Sequence, residues 1–356
     1  MKNERHVLMD DLRKCDLYPL CFEPVFKFTL WGGTRLVSVF GRNPPRSELP
    51  VGEAWEIVDR PNDQSVVRNG PLAGLSLHEL MDARGADLFG SDYRPGMRFP
   101  LFVKLLDTST NLSIQVHPDK TYCAVSGDGA EPKIEMWYIL HVDGDAGLFA
   151  GIREDRSKED FLRAMNGKDG DLASVLQYYK VRPRDLFYIN HGRLHSIGGG
   201  ILLFELQLNS DTTFRVSDWN RTDAHGKKRP LHVEQAMKCI DFSHPQTSSI
   251  VMERPEQPQS VSYDLTASVK EPPFRIEELK IVREREDSTV SADGFRACHI
   301  LTAPEKPFVL SAGGKSVPVP PGGSCLVPAS TGSYRLVPAE GERVTVLKST
   351  AARGVF

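Results

Sequence analysis

A chain of 356 residues with 40% hydrophobic and 26% charged side chains has the composition of a folded protein, and its length points to about two domains. The net charge of -3, with both signs spread along the chain, leaves no basic footprint, so neither nucleic acid nor an anionic membrane is an expected partner. An anionic ligand would have to be held by local cations.

In chain order the pattern is mainly β, short apolar runs separated by Gly, Pro, Asn and Asp. "SVVRNG" reads as a strand. "LSLHELMDARG" reads as a helix, because Ser76 and Glu79 have capping-box spacing, and it stops near Gly85. "FPLFVKLLD", "LSIQVHP" and "IEMWYILHV" read as strands. "RSKEDFLRAM" repeats the helix logic with Ser157 and Asp160, and "DLASVLQYY" is a further expected helix. "DLFYIN" and "ILLFELQL" return to strand, and "PLHVEQAMKCI" places Val233, Ala236, Met237 and Ile240 on one helical face. Around residues 243 to 260 the chain turns rich in Pro, Ser and Gln, which marks a boundary. Beyond it "FRACHILTA", "KPFVLSAGG", "KSVPVPPGGSCLVPAS" and "ERVTVLKS" are again β-like. The expected fold is two β-sandwich or jelly-roll domains, residues 1–245 with helical insertions and a smaller 246–356.

No run approaches the about 18 apolar residues of a membrane span, and the opening "MKNERHVLMDDLRKCDL" lacks the apolar stretch of a secretory signal. Cys15, Cys21, Cys123, Cys239, Cys298 and Cys325 show no CxxC spacing. Reduced thiols in a cytoplasmic protein are expected.

Gln115 and His117 are two apart on a strand and therefore share a face, as two ligands of one ion must. Glu135, with Lys133 on the same face, is embedded in an otherwise apolar strand, where a carboxylate needs a cation or strong hydrogen bonds. His195 lies in a glycine-rich turn before a stretch carrying Glu205, Gln207, Asp211, Arg215 and Arg221. Each residue alone has an ordinary structural reading. Glu135 can pair with Lys133, and either histidine can be a hydrogen-bonded strand residue. Together the amide, the carboxylate and the two imidazoles suit zinc or another divalent ion. The adjacent Cys298 and His299 lack further partners, and the C-terminal domain is expected to be structural.

"LSIQVHPDK", "KIEMWYIL" and "GGGILLFELQLNSDTTFRVSDWNR", with "FKFTLWGGTRL", "VGEAWEI", "NGPLAGLSLHEL" and "RFPLFVKLLD", resemble the type I mannose-6-phosphate isomerases, zinc-dependent cupins, in their short bacterial form. The resemblance runs from about residue 22 to 242 and more weakly beyond. It implies cupin-like jelly rolls, one zinc ion per chain, and Gln115, His117, Glu135 and His195 as metal ligands. It further implies Lys133, Glu205 and Arg215 as catalytic groups, and Ser113, Lys104, Arg221, Trp31 and Asp211 as contacts to a small sugar phosphate. A monomer or weak homodimer is expected. The loop before the last ligand reads "NHGRLH" where the family is usually close to "PAGTxH", so Asn190, His191 and Arg193 change the rim of the pocket.

The implied reaction interconverts mannose 6-phosphate and fructose 6-phosphate through an enediol, with Glu205 or Lys133 moving the proton and Arg215 steadying negative charge. Two other readings compete, a silent sugar-phosphate-binding cupin and a metal-dependent cupin epimerase or oxygenase. A pure binder has no need of Lys133, Glu205 and Arg215 together, and the third class commonly uses more imidazoles.

Overall fold

The structure is a computed structural model that describes Leu12 and residues 15–46, 48–167, 171–242 and 262–356. The boundary expected near residues 243 to 260 lies outside the described residues, as does most of the opening segment. The chain gathers into two compact units, one of Met1–Val25, Trp55–Lys104 and Arg254–Phe356, the other of Phe26–Ala54 and Leu105–Glu253. No described helix is long and apolar enough to cross a membrane.

The mainly β expectation holds in both units. The first carries a seven-stranded sheet in the order Ser262–Asp264, Phe274–Ile281, Val344–Ala351, His299–Thr302, Ser324–Val327, Leu20–Glu23, Val66–Val67. Its four-stranded partner runs Arg285–Ser288, Ser333–Pro338, Phe308–Ala312, Lys315–Val319. Alternation sends Leu279, Leu301, Cys325 and Val346 from one sheet against Phe308, Leu310, Val319 and Leu336 from the other. This unit also buries His299, whose Nδ1 lies 2.7 Å from the Tyr334 hydroxyl, while Lys348 pairs with Glu277 and lies 3.0 Å from Asp287.

Most of the second unit's longer strands lie in a six-stranded sheet, ordered Leu186–Ile189, Glu135–Val142, Ile201–Leu208, Leu101–Thr108, Val25–Gly33, Val51–Ile57. Facing it is a five-stranded sheet, ordered Phe214–Ser217, Ile114–Val116, His195–Ile197, Gly147–Ile152, Leu176–Lys180. Trp31, Trp137, Ile139 and Leu203 meet Leu148, Ala150 and Ile197 between them. On the outer face of the smaller sheet, Ile114, Val116, Phe214 and Val216 are covered by Phe161, Ala236 and Ile240 from helices. The Ile114–Val116 strand is therefore apolar on its covered side, and Gln115 is left to point inward.

Both capping boxes form. Ser76 caps the Leu77–Leu88 helix and Ser157 the Lys158–Asn166 helix, each side chain accepting from the backbone N–H three residues on and each acid answering in return. The Val233–Cys239 helix also forms, with Ala236, Met237 and Ile240 packed inward. "DLASVLQYY" is not a helix. It makes a single 3-10 turn, Leu172–Val175, and then the strand Leu176–Lys180. Leu172, Val175 and Leu176 give the helical spacing, but beyond them the burial alternates and the strand completes the ladder beside Gly147–Ile152. At the end of Val25–Gly33 the backbone passes close to a buried acid. A Cβ on Gly33 would lie 2.3 Å from Asp107 Oδ2, whose carboxylate is already bonded to the Arg35 backbone N–H at 2.5 Å and to Arg35 Nη1 at 2.6 Å.

Candidate metal centre

Three strands deliver the central groups. His195 opens His195–Ile197 and pairs directly with Gln115, while Glu135 opens Glu135–Val142 in the opposite sheet. His117 follows Gln115 by two and keeps its inward direction. The ligand atoms of His117, Glu135 and His195 lie within 4.8 Å of one another, and all three side chains are buried.

The tautomers are set by the backbone. His117 Nδ1 lies 3.0 Å from the Thr212 carbonyl and His195 Nδ1 lies 2.9 Å from that of Arg193, so in each ring Nδ1–H donates and Nε2 is the nitrogen turned inward. Both Nε2 atoms then face the Glu135 carboxylate, His117 Nε2 at 3.3 Å from Oε2 and His195 Nε2 at 3.3 Å from Oε1. In a neutral ring such an Nε2 carries a lone pair that repels an anion, and a cation between them reverses the sign of that interaction. The hydrogen-bond inventory agrees, because His117 Nε2 and Glu135 Oε1 are buried without a hydrogen-bond partner. The donor set fits a metal ion.

Burial first, and then the Lys133 charge, takes His117 down to about 3, so its imidazole is neutral. Burial pushes the Glu135 carboxyl up, but Lys133 and the two histidines outweigh it and hold it well below the ordinary range. Lys133 Nζ sits 2.9 Å from Glu135 Oε2. The Gln115 amide lies at the edge of the cluster, with Nε2 3.2 Å from His195 Nε2 and Oε1 accepting from Ser113 Oγ at 3.0 Å. Amide orientation is an assignment from the surrounding bonds, and the opposite rotamer presents oxygen to the imidazole side.

Glu205 is buried, opposite Trp137 in the ladder, and accepts from Trp137 Nε1 at 3.0 Å. Arg215 is opposite Gln115 and so shares its face; its Nη1 donates to the Pro230 carbonyl at 2.8 Å and its buried Nε has no partner. Burial, and then Arg229, lower its guanidinium from the usual value. Trp31 is buried in the sandwich core beside Trp137, and Asp211 is exposed. Arg221 is bonded to Thr110 Oγ1 at 3.1 Å, the Asn111 carbonyl at 2.7 Å and Asp218 at 3.1 Å, two residues before Ser113 along the chain. Lys104 lies on the Leu101–Thr108 strand, with its ammonium over the Phe102 ring at 4.5 Å and the Trp55 ring at 5.4 Å.

Gln207, noted in the sequence only as one of a run of polar residues, is given no role by the resemblance. It stands opposite Glu135 in the ladder, fully buried, with Nε2 spent on the Leu208 and Ser210 carbonyls and Oε1 without a partner. Its spacing of two from Glu205 was the available signal. The carbonyls of Thr212 and Arg193 have none, since backbone carries no sequence.

The comparisons with known proteins run the same way. A model of the phosphomannose isomerase type I catalytic domain matches residues 20–133, which includes Gln115, His117 and Lys133 but ends before Glu135. A probable mannose-6-phosphate isomerase of Bacillus subtilis, GmuF, is 41% identical over 64% of this chain and 70% of its own length. The chain belongs to the type I phosphomannose isomerase family. A mannose-6-phosphate isomerase of Streptococcus mutans is also 41% identical, over 64% of this chain and 69% of its length. The crystal structure of the Bacillus subtilis mannose 6-phosphate isomerase superposes with a TM-score of 0.80 at 30% identity, covering 94% of this chain and 99% of that one.

Proposed function

We propose that this protein is a metal-dependent mannose-6-phosphate isomerase, interconverting mannose 6-phosphate and fructose 6-phosphate. The observation that carries the reading is the buried trio of His117, Glu135 and His195, in a chain 41% identical to proteins named for that reaction. The proposed ion is zinc, one per chain, held by His117, Glu135, His195 and Gln115, since two imidazoles, a carboxylate and an amide oxygen form an N/O set that zinc accepts. Bound there, it supplies Lewis-acid polarisation of a sugar carbonyl and stabilisation of oxyanion charge.

The chain's own groups do the rest. The Glu205 carboxylate, oriented by Trp137 Nε1, takes the proton from one sugar carbon and returns it to the other. Lys133, ion-paired with Glu135, serves as the acid toward a sugar oxygen. Arg215, on the Gln115 face, is a fixed positive charge for the developing enediolate. Ser113 and Arg221 are proposed for the phosphate; Trp31 walls the pocket and Asp211 shapes the turn that leads to Arg215. A cytoplasmic monomer or weak homodimer acting on a small sugar phosphate is the matching expectation.

The test is turnover of mannose 6-phosphate, with and without chelator, alongside metal analysis of the purified protein and of His117→Ala and Glu135→Gln. Both variants should lose bound metal and activity together. Full turnover by a variant shown to be metal-free would overturn the proposal. In deuterated water Glu205→Gln should lose exchange at the migrating hydrogen; retained exchange there, with loss in Lys133→Met, would move the base to Lys133.

A further inference from the structure

Cys21 and Cys325, which the site does not use, stand directly opposite each other in neighbouring antiparallel strands, Leu20–Glu23 and Ser324–Val327. The Cys21 backbone N–H donates to Asn69 Oδ1 at 2.8 Å and its carbonyl accepts from the Arg68 N–H at 2.9 Å. Both groups therefore point away from the Cys325 strand, which makes this a non-hydrogen-bonded pair. In such pairs the Cα atoms are roughly 4.5 Å apart and the side chains close, within the roughly 4.4–6.8 Å span a disulfide needs. Both thiols turn into the same core, and both are free.

We propose that Cys21 and Cys325 form a redox couple that a peroxide converts to a cross-strand disulfide. Cys21 is the attacking sulfur. Its hydrogen bond from Cys325 lowers its thiol against the opposing effect of burial, and the Arg68 charge adds to this, whereas burial and then Cys21 raise Cys325 well above the usual thiol value. The Cys21 thiolate attacks one peroxide oxygen, the O–O bond breaks, and hydroxide leaves to take up the thiol's proton as water. The Cys21 sulfenic acid so formed is attacked by the Cys325 sulfur. The S–S bond forms as the S–O bond breaks, and the Cys325 proton leaves with that oxygen as a second water. Two thiols lose two electrons and one peroxide gains them. The strand carrying Cys21 is four residues long, and its other neighbour, Val66–Val67, is two, so a local opening is enough to admit a small oxidant.

The full-length protein is treated with hydrogen peroxide, its remaining thiols are blocked under denaturant, and unreduced peptides are mapped. A cross-linked peptide joining Cys21 to Cys325 and released by reduction is expected, with a higher unfolding temperature for the oxidised protein. Cys325→Ser should abolish the cross-link and leave Cys21 as a sulfenic acid that dimedone captures. The wild-type map decides even where the variant folds poorly. Cys21 and Cys325 both still alkylatable after oxidation, or each found joined to another cysteine, would overturn the proposal.

Discussion

At the scale of single residues, the backbone carbonyls of Thr212 and Arg193 limit what the two histidines can do, because they commit Nδ1 as donor and leave Nε2 as the nitrogen available to the proposed ion. Trp137 has the same relation to Glu205. Trp137→Phe removes one hydrogen bond to a carboxylate while keeping the ring, and should lower kcat about tenfold at unchanged metal content. A parallel loss of metal would mean that Trp137 acts on the ligands instead. Arg221→Ala should raise KM for the sugar phosphate by about tenfold with kcat little changed, and an unchanged KM would remove Arg221 from the phosphate role. Alternation of polar and apolar residues is enough to put Gln115 and His117 on one face. It also puts Gln207 on one face with Glu205, but that its ladder partner is Glu135 is visible only in the fold.

Among elements, the capped helices carry their boundaries in local chemistry, since an Ncap serine and an acid at N3 meet across a single turn. Ser157→Ala should cost about 1 kcal/mol of stability in urea unfolding, and Ser157→Asp should restore most of it. Gly33→Ala should cost more than that, because the new methyl group meets the Asp107 carboxylate that Arg35 holds in place. The "DLASVLQYY" segment shows the limit of local reading. Leu172, Val175 and Leu176 match a helical stripe over one turn, but the partner that makes the rest a strand, Gly147–Ile152, lies some way upstream. Propensity cannot weigh a ladder it does not contain.

For the molecule as a whole, the count and class of sandwiches follow from the short apolar runs. The placing of Leu20–Glu23 beside Ser324–Val327 does not, since no local pattern encodes pairing between the two ends of a chain. The buried His299 gives the first unit an acid sensitivity of calculable sign. Burial, and then Lys348, hold it down to about 4, so between that value and the unfolded histidine's ~6.5 only the unfolded chain gains the proton. Stability should therefore fall by up to about 1.4 kcal/mol per pH unit on acidification through that window. His299→Gln should flatten this part of the curve; an unchanged slope would assign it elsewhere. Metal removal should act on the second unit, where an ion present at a hundredfold over its dissociation constant contributes about 2.7 kcal/mol. Chelation should lower the unfolding midpoint, and added zinc should restore it. The two imidazoles belong with one sheet of the sandwich and the Glu135 carboxylate with the other. An ion shared by them is thus a rivet through two plates. It cannot be seated until the plates have met, so metal uptake should trail refolding in time, and forced separation of the sheets should break at the rivet first.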